Sequence, residues 1–252
     1  ELQKRISYAV GTIFTTQTPY GENHHLRRIA ILCAYLFLNW FDVTSCNHAL
    51  SYSGPVTIRI ANTNAMRYRR SANPNRANRA DDPEIEPTKV FDNLYVIGRT
   101  STAVWAITTS AGHVLIDSGY QDQLDSVLLP GMKKLGLDPA QVKYVLVGHG
   151  HADHFGGTPY FQDHGAHVVL TAPDWDGVEH FPQPANGPPL RTPKRDIVAA
   201  EGHPITIGNV TFTPVMIPGH TPGTMGLIFP VKDGRSTHIA GLFGGAVLTP
   251  SR

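Results

Sequence analysis

From about Val90 onward the sequence predicts an α/β layered fold, with sheets covered by helices. Two observations predict it: short apolar strands come first and then alternate with helical segments. The most chemically dense loop also directly follows an apolar strand, at the strand end where α/β folds place their sites. Val90 to Gly98 reads as one strand, Ala103 to Thr108 as a second and His113 to Asp117 as a third, with Gly112 making the turn between the last two. A helix is expected from Gln121 to Leu135, its apolar stripe Leu124, Val127, Leu128 and Leu135; Pro130 and Gly131 must bend or split it. Asp138 before Pro139 is a helix cap followed by proline at the first helical position. Tyr144 to Val147 is a fully apolar strand. A short helix near Gly157–Asp163 and the strand Ala166–Leu170 follow. Residues 182–193 form a Pro-rich irregular loop. Two hairpins close the pattern. One joins Thr206–Ile207 to Val210–Met216 through Gly208 and Asn209; the other joins Leu227–Val231 to Thr237–Ala240.

The 252 residues are 41% hydrophobic and 16% charged, ample for a packed core and unlike a collagenous, coiled-coil or wholly disordered chain. The formal net charge of +1 hides an asymmetry. Residues 1–80 carry ten Lys/Arg against three Asp/Glu, whereas residues 81–252 carry eleven against seventeen. An acidic body is a poor partner for nucleic acid, which needs a basic face. Both cysteines, Cys33 and Cys46, lie in the front, so neither a disulfide framework nor a cysteine zinc cluster can form beyond residue 46. Ten of the thirteen histidines lie from His113 onward, available as nitrogen ligands.

Residues 1–88 read as a basic N-terminal region, and residues 89–252 as the functional domain. The run Ile29–Leu38, preceded by Arg27 and Arg28, resembles the basic and apolar parts of a secretory signal. It is shorter than the roughly 20 residues a membrane-spanning helix needs. A signal implies a periplasmic or secreted protein; a short buried helix, or upstream sequence outside the mature protein, implies a cytoplasmic one. Ala61 to Thr88, rich in Asn, Arg, Ala and Pro, has too little apolar surface to offset its ordering entropy and reads as a disordered linker.

The decisive segment is His149 to His154. Three imidazoles and a carboxylate, His149, His151, Asp153 and His154, fall within six residues, followed by Phe155, Gly156 and Gly157. Packing alone does not bunch four polar groups in this way. Zinc binds imidazole nitrogen and carboxylate oxygen at about 2.0–2.2 Å and keeps one position for water in catalytic sites. Histidines at i and i+2 can converge on one metal, leaving Asp153 and His154 for a neighbouring position. The best third ligand is His220, on the Gly- and Pro-flanked turn of residues 218–223.

Three motifs, Leu115–Gly119, His149–Gly157 and Pro218–Gly223, together resemble the metallo-β-lactamase superfamily, from about Thr88 to Ser251. The resemblance implies an αββα sandwich with metals at one edge of its two sheets. It implies His149, His151 and His220 on a first zinc, and Asp153 and His154 on a second. It makes Asp117 a residue that steadies the ligand loop.

Absences narrow the subclass. One subclass of these lactamases uses a cysteine on its second zinc, and none follows Cys46. Glyoxalase II-like and lactonase-like members carry a bridging Asp after the strand that follows the Pro-Gly-His turn. The matching stretch His238–Gly245 has no carboxylate, and Asp233 sits in a hairpin turn. Residues 91–98, 107–117 and 173–175 are similar to the third subclass, which completes the second zinc with a later histidine. No counterpart precedes Arg252, so the C-terminal half of the sandwich is expected to be incomplete. His203 and His238 are spare histidines on hairpin surfaces. A lone zinc on His149, His151 and His220, with Asp153 binding the water, is the alternative to two.

The resemblance implies a zinc-bound hydroxide that opens the amide of a β-lactam, a small-molecule substrate, with Asp153 orienting the water and moving a proton. Two other readings stand beside it: a hydrolase of thioesters, lactones or phosphoesters, or a truncated, non-catalytic metal-binding domain.

Overall fold

The computed structural model describes residues 82–245 and, before them, two short strands, β1 (Phe14–Gln17) and β2 (Thr57–Arg59). The signal-like run Ile29–Leu38 lies outside the described residues. Then follow β3 (Thr88–Phe91), β4 (Leu94–Gly98), β5 (Ala103–Thr109), β6 (Gly112–Ile116), α1 (Leu129–Lys134) and β7 (Val142–Leu146). Next come α2 (Ala152–Phe155), α3 (Thr158–Asp163), β8 (His167–Thr171), α4 (Ala172–Glu179) and β9 (Ile197–Ala199). The last strands are β10 (Ile205–Ile207), β11 (Val210–Met216), β12 (Met225–Asp233) and β13 (Ser236–Leu242).

Two sheets form. The first runs β3-β4-β5-β6-β7-β8-β9, and the second β10-β11-β12-β13-β1-β2. The first is antiparallel through β6 and parallel from β6 to β9, because α1, α3 and α4 fall on the connections after β6, β7 and β8. Strand β5 shows why its sequence is apolar throughout: both its faces are covered. Trp105 and Ile107 face the second sheet, packing with Phe212, Leu227 and Phe229; Val104 and Ala106 face the helices, with Leu128, Met132, Phe161 and Trp175. This is an α/β sandwich, as the sequence predicts.

Several elements differ from the reading above. Val90–Gly98 is two strands, not one. Asp92 and Asn93 turn the chain, and their side chains hold the turn: Asn93 Oδ1 accepts from Lys232 N at 2.8 Å and Asp92 Oδ2 from Gly234 N at 2.7 Å. The helix near Gln121–Leu135 opens as a 3-10 turn, widens to a π-type turn over Leu124–Leu128 and finishes as α1, the change falling just before Pro130, whose missing N–H cannot continue the ladder. Asp138 caps as expected, accepting from Ala140 N at 3.0 Å. Order also begins before Thr88, within the stretch read as linker. Ile85 is only 4% exposed, its N–H donates to Gly98 O, and Asp82 accepts from Thr100 Oγ1 and Ser101 Oγ. One buried apolar residue and a carboxylate cap suffice to tie down a polar segment. The strand β9 and helix α4 were not anticipated. Trp175, fully buried, donates from its indole N–H to Ile197 O at 2.9 Å and links the two.

Candidate metal centre

The loop leaving β7 carries the first histidines, and two neighbours shape it. Asp117, just past β6, has a left-handed backbone at φ 64°. Its Oδ1 accepts from Gly148 N at 2.8 Å and its Oδ2 from His154 Nδ1 at 2.7 Å. Ser118 binds His154 O through both its N–H and its hydroxyl. Gly148 and Gly156 are required by close approach: a Cβ on Gly148 would lie 2.9 Å from Gly244 Cα, and one on Gly156 would meet the backbone of Tyr120 at 2.7 Å.

Within this frame the sequence-predicted residues come together. His149 Nε2 lies 3.0 Å from His151 Nδ1, which lies 3.1 Å from His220 Nε2. His149 and His151 come from the first sheet and His220 from the turn after β11 in the second. His149, Asp153 and His154 form a second group. His154 Nε2 lies 3.6 Å from Asp153 Oδ2. The tautomers follow from the partners. His149 Nδ1 lies 2.6 Å from the Gly244 carbonyl, which can only accept, so Nδ1 carries the proton and Nε2 keeps its lone pair. By the same logic Asp117 fixes the proton of His154 on Nδ1 and turns Nε2 toward Asp153.

Electrostatics agree with this arrangement. Burial, with His154 and His220 close by, pushes His149 down to about 2, so it stays neutral. Burial and then His220 also lower His151. His154 goes the other way: burial pulls it down, but the Asp117 charge and hydrogen bond, with Asp153, raise it overall. Two depressed imidazoles whose ring nitrogens lie about 3 Å apart form a nest for a cation. A tetrahedral zinc with bonds of about 2.0–2.1 Å separates its nitrogens by about 3.3 Å. The separations here fit that spacing, and the nitrogen and carboxylate donor sets fit that metal.

The spare residues stay apart. His203 Nδ1 bonds Glu201 O, His238 stacks beside Phe91 at 6.0 Å, and Asp233 ends β12 in its turn. The sequence reading missed three groups. Thr102, 2% exposed, donates to Asp153 Oδ2 at 3.2 Å. The Gly244 carbonyl orients His149. Asp174, 3% exposed, bonds both ligand loops. Thr102 and Gly244 have no sequence signal, since a lone Thr or Gly is common in any loop; Asp174 lies in the 173–175 stretch that resembles the third subclass, but a first-turn Asp does not reveal its partners.

A sequence model of the metallo-beta-lactamase superfamily matches residues 97–233. The chain belongs to this superfamily. Among curated proteins it is similar to the N-acyl homoserine lactonase AttM of Azorhizobium caulinodans, 30% identical over 146 residues, 46% of this chain and 55% of that protein. The AttM of Agrobacterium fabrum is 29% identical over 146 residues. The chain spans about half the length of the curated relatives it matches. Among solved structures it superposes on BJP-1, a subclass B3 metallo-beta-lactamase of Bradyrhizobium japonicum, with TM-score 0.59 and 30% identity, covering 64% of this chain and 62% of that one. FEZ-1 of Legionella gormanii, 24% identical with TM-score 0.60 over 68% of each chain, shares the fold. The resemblance to the third subclass holds. Among the described residues, no helix is long and apolar enough to cross a membrane.

Proposed function

We propose that this protein is a zinc-dependent hydrolase that opens the amide of β-lactam rings. The observation that carries the hydrolase reading is the convergence of His149 Nε2, His151 Nδ1 and His220 Nε2 beside the second group, Asp153 and His154. Zinc bound there supplies charge that polarises a carbonyl and makes water acidic near pH 7. The chain's own groups do the rest. The Gly244 carbonyl holds the His149 lone pair inward, and Asp117 does the same for His154 Nε2. Asp153, 28% exposed, is steadied by Thr102 at the rim of the cluster. There it can accept a hydrogen bond from the attacking water and carry a proton to the departing nitrogen.

Two observations support a lactam over a lactone. The B3 lactamase BJP-1, at 30% identity, superposes on 64% of the chain with TM-score 0.59. And where lactonase-like members carry a bridging Asp, the end of β13 brings Gly244 and Gly245 against the histidines: a backbone carbonyl and a bare Cα, with no carboxylate. The lactonase relatives support the second reading, hydrolysis of a lactone or related ester. Purified protein loaded with zinc is assayed side by side on nitrocefin and an N-acyl homoserine lactone. Nitrocefin turnover that a chelator abolishes and Asp153→Ala sharply reduces is the expected result. Lactone turnover alone moves the assignment to the second reading. A cooperatively folding chain that holds no zinc sinks both. The signal-like run Ile29–Leu38 would place such an enzyme in the periplasm or outside the cell.

A further inference from the structure

The three histidines of the first group come from two loops on different sheets. Their nitrogens can meet only if those loops keep a fixed separation, and one buried carboxylate spans them. Asp174 lies in the first turn of α4. Its Oδ2 accepts from Gly150 N at 2.8 Å and from Thr221 Oγ1 at 2.8 Å; its Oδ1 accepts from Gly223 N at 3.0 Å. Gly150 is the residue between His149 and His151. Thr221 follows His220, and Gly223 closes the same turn. The carboxylate therefore grips the amide between two ligands and both sides of the third.

The fit is close on each side. A Cβ on Gly223 would lie 2.7 Å from Asp174 Oδ1, and one on Gly150 would lie 3.1 Å from Asp174 O. Thr171 Oγ1 adds a bond to Gly223 O at 2.7 Å from behind. The loops thus have no room to slide past Asp174. A carboxylate is the one side chain of this size that can accept from three donors at once; an amide offers one acceptor oxygen and turns an N–H against a donor. Hydrogen bonds to a buried charge are also the strong kind.

We infer that Asp174 is a positioning residue for the metal centre: it sets the distance between the His149–His151 loop and the His220 turn, and so governs metal affinity without touching the metal. This inference rests on the metal-centre reading above. The test uses the full chain with Asp174→Asn, Thr221→Val and Thr221→Ser. Zinc affinity is measured by competition with a chelating dye, the visible spectrum is recorded with Co(II), and urea unfolding is followed on the metal-free protein. Phe161→Ala, at a buried residue of α3 that has no hydrogen bond to either loop among the described residues, serves as the variant that loses stability only. Asp174→Asn should bind zinc about 10- to 100-fold more weakly with an altered Co(II) spectrum. Thr221→Val should be intermediate, and Thr221→Ser, which keeps the hydroxyl, should match the parent. Phe161→Ala should unfold more easily yet keep the parental spectrum and affinity. Parental affinity and spectrum in folded Asp174→Asn overturn the inference. If that variant does not fold, parental affinity in Thr221→Val overturns it instead. Failure of the unmutated chain to take up zinc is a different result and sinks the metal-centre reading itself.

Discussion

Replacing Asp117 with Asn isolates the chemistry of one carboxylate from the backbone that holds it. Asp117 is 5% exposed and sits at φ 64°, a left-handed conformation that Asn tolerates as well as Asp. The backbone cost therefore cancels. What changes is the pair of acceptors, Oδ1 for Gly148 N at 2.8 Å and Oδ2 for His154 Nδ1 at 2.7 Å. Asn can satisfy only one of these as an acceptor. A hydrogen bond to a charged group contributes about 1.5–3 kcal/mol, so the metal-free protein should lose about 2 kcal/mol. Asp117→Ala loses both bonds and adds left-handed strain of about 1 kcal/mol, for a loss of about 4 kcal/mol or more. Metal binding should weaken more than stability suggests. If the new amide donates to His154 Nδ1, the ring proton moves to Nε2, the nitrogen facing Asp153, and blocks it as a ligand. A drop of about 10- to 100-fold in affinity is expected. Urea unfolding of the metal-free variants and Co(II) competition titrations check both numbers. Equal stability losses for Asn and Ala, or parental metal affinity in Asp117→Asn, would refute the reasoning.

Three further outcomes follow from the same geometry. Thr102→Val removes the donor to Asp153 Oδ2 with little change of shape; turnover should fall about tenfold while zinc content holds, and Thr102→Ser should restore it. Gly223→Ala forces a methyl against Thr171 and the Asp174 carboxyl, both buried, and should cost about 3 kcal/mol in urea unfolding. His113 is held below its ordinary pKa by burial, with Asp138 opposing, and among the described residues its Nδ1 has no hydrogen-bond partner. The unfolded chain thus takes up a proton near pH 6.5 that the folded chain refuses. This share of stability is complete above pH 6.5 and is lost as pH falls from there toward the lower folded value. His113→Gln should flatten the drop in urea midpoint between pH 7.5 and pH 5.5, and an unchanged slope counts against the assignment.

Much of this was legible in the chain because its signals are local. The strands β5, β6 and β7 are short, largely apolar runs, and covering both their faces only strengthens such runs. The hairpin turns at Gly208 and Gly234 announce themselves by residues that accept positive φ. The ligand loop is legible because metal chemistry demands rare residues at close spacing, which chance seldom supplies. Helix α4 and strand β9 were missed for the opposite reason. Strand β9 has three residues, and α4 begins with Ala and Pro; both are held by Trp175 and its bond to Ile197, a contact 22 residues apart.

Local spacing was enough to place His149, His151, Asp153 and His154 on one loop and to single out His220 as their distant partner. Spacing could not say that His220 Nε2 stops 3.1 Å from His151 Nδ1, which nitrogen of each ring carries its proton, or that Asp174, Thr102 and the Gly244 carbonyl hold the cluster in place. Those facts depend on groups distant in sequence arriving within hydrogen-bond distance, side chains in some bonds and backbone in others. The backbone half of such a bond leaves no mark on residue identity, because every residue has a carbonyl and almost every one has an N–H.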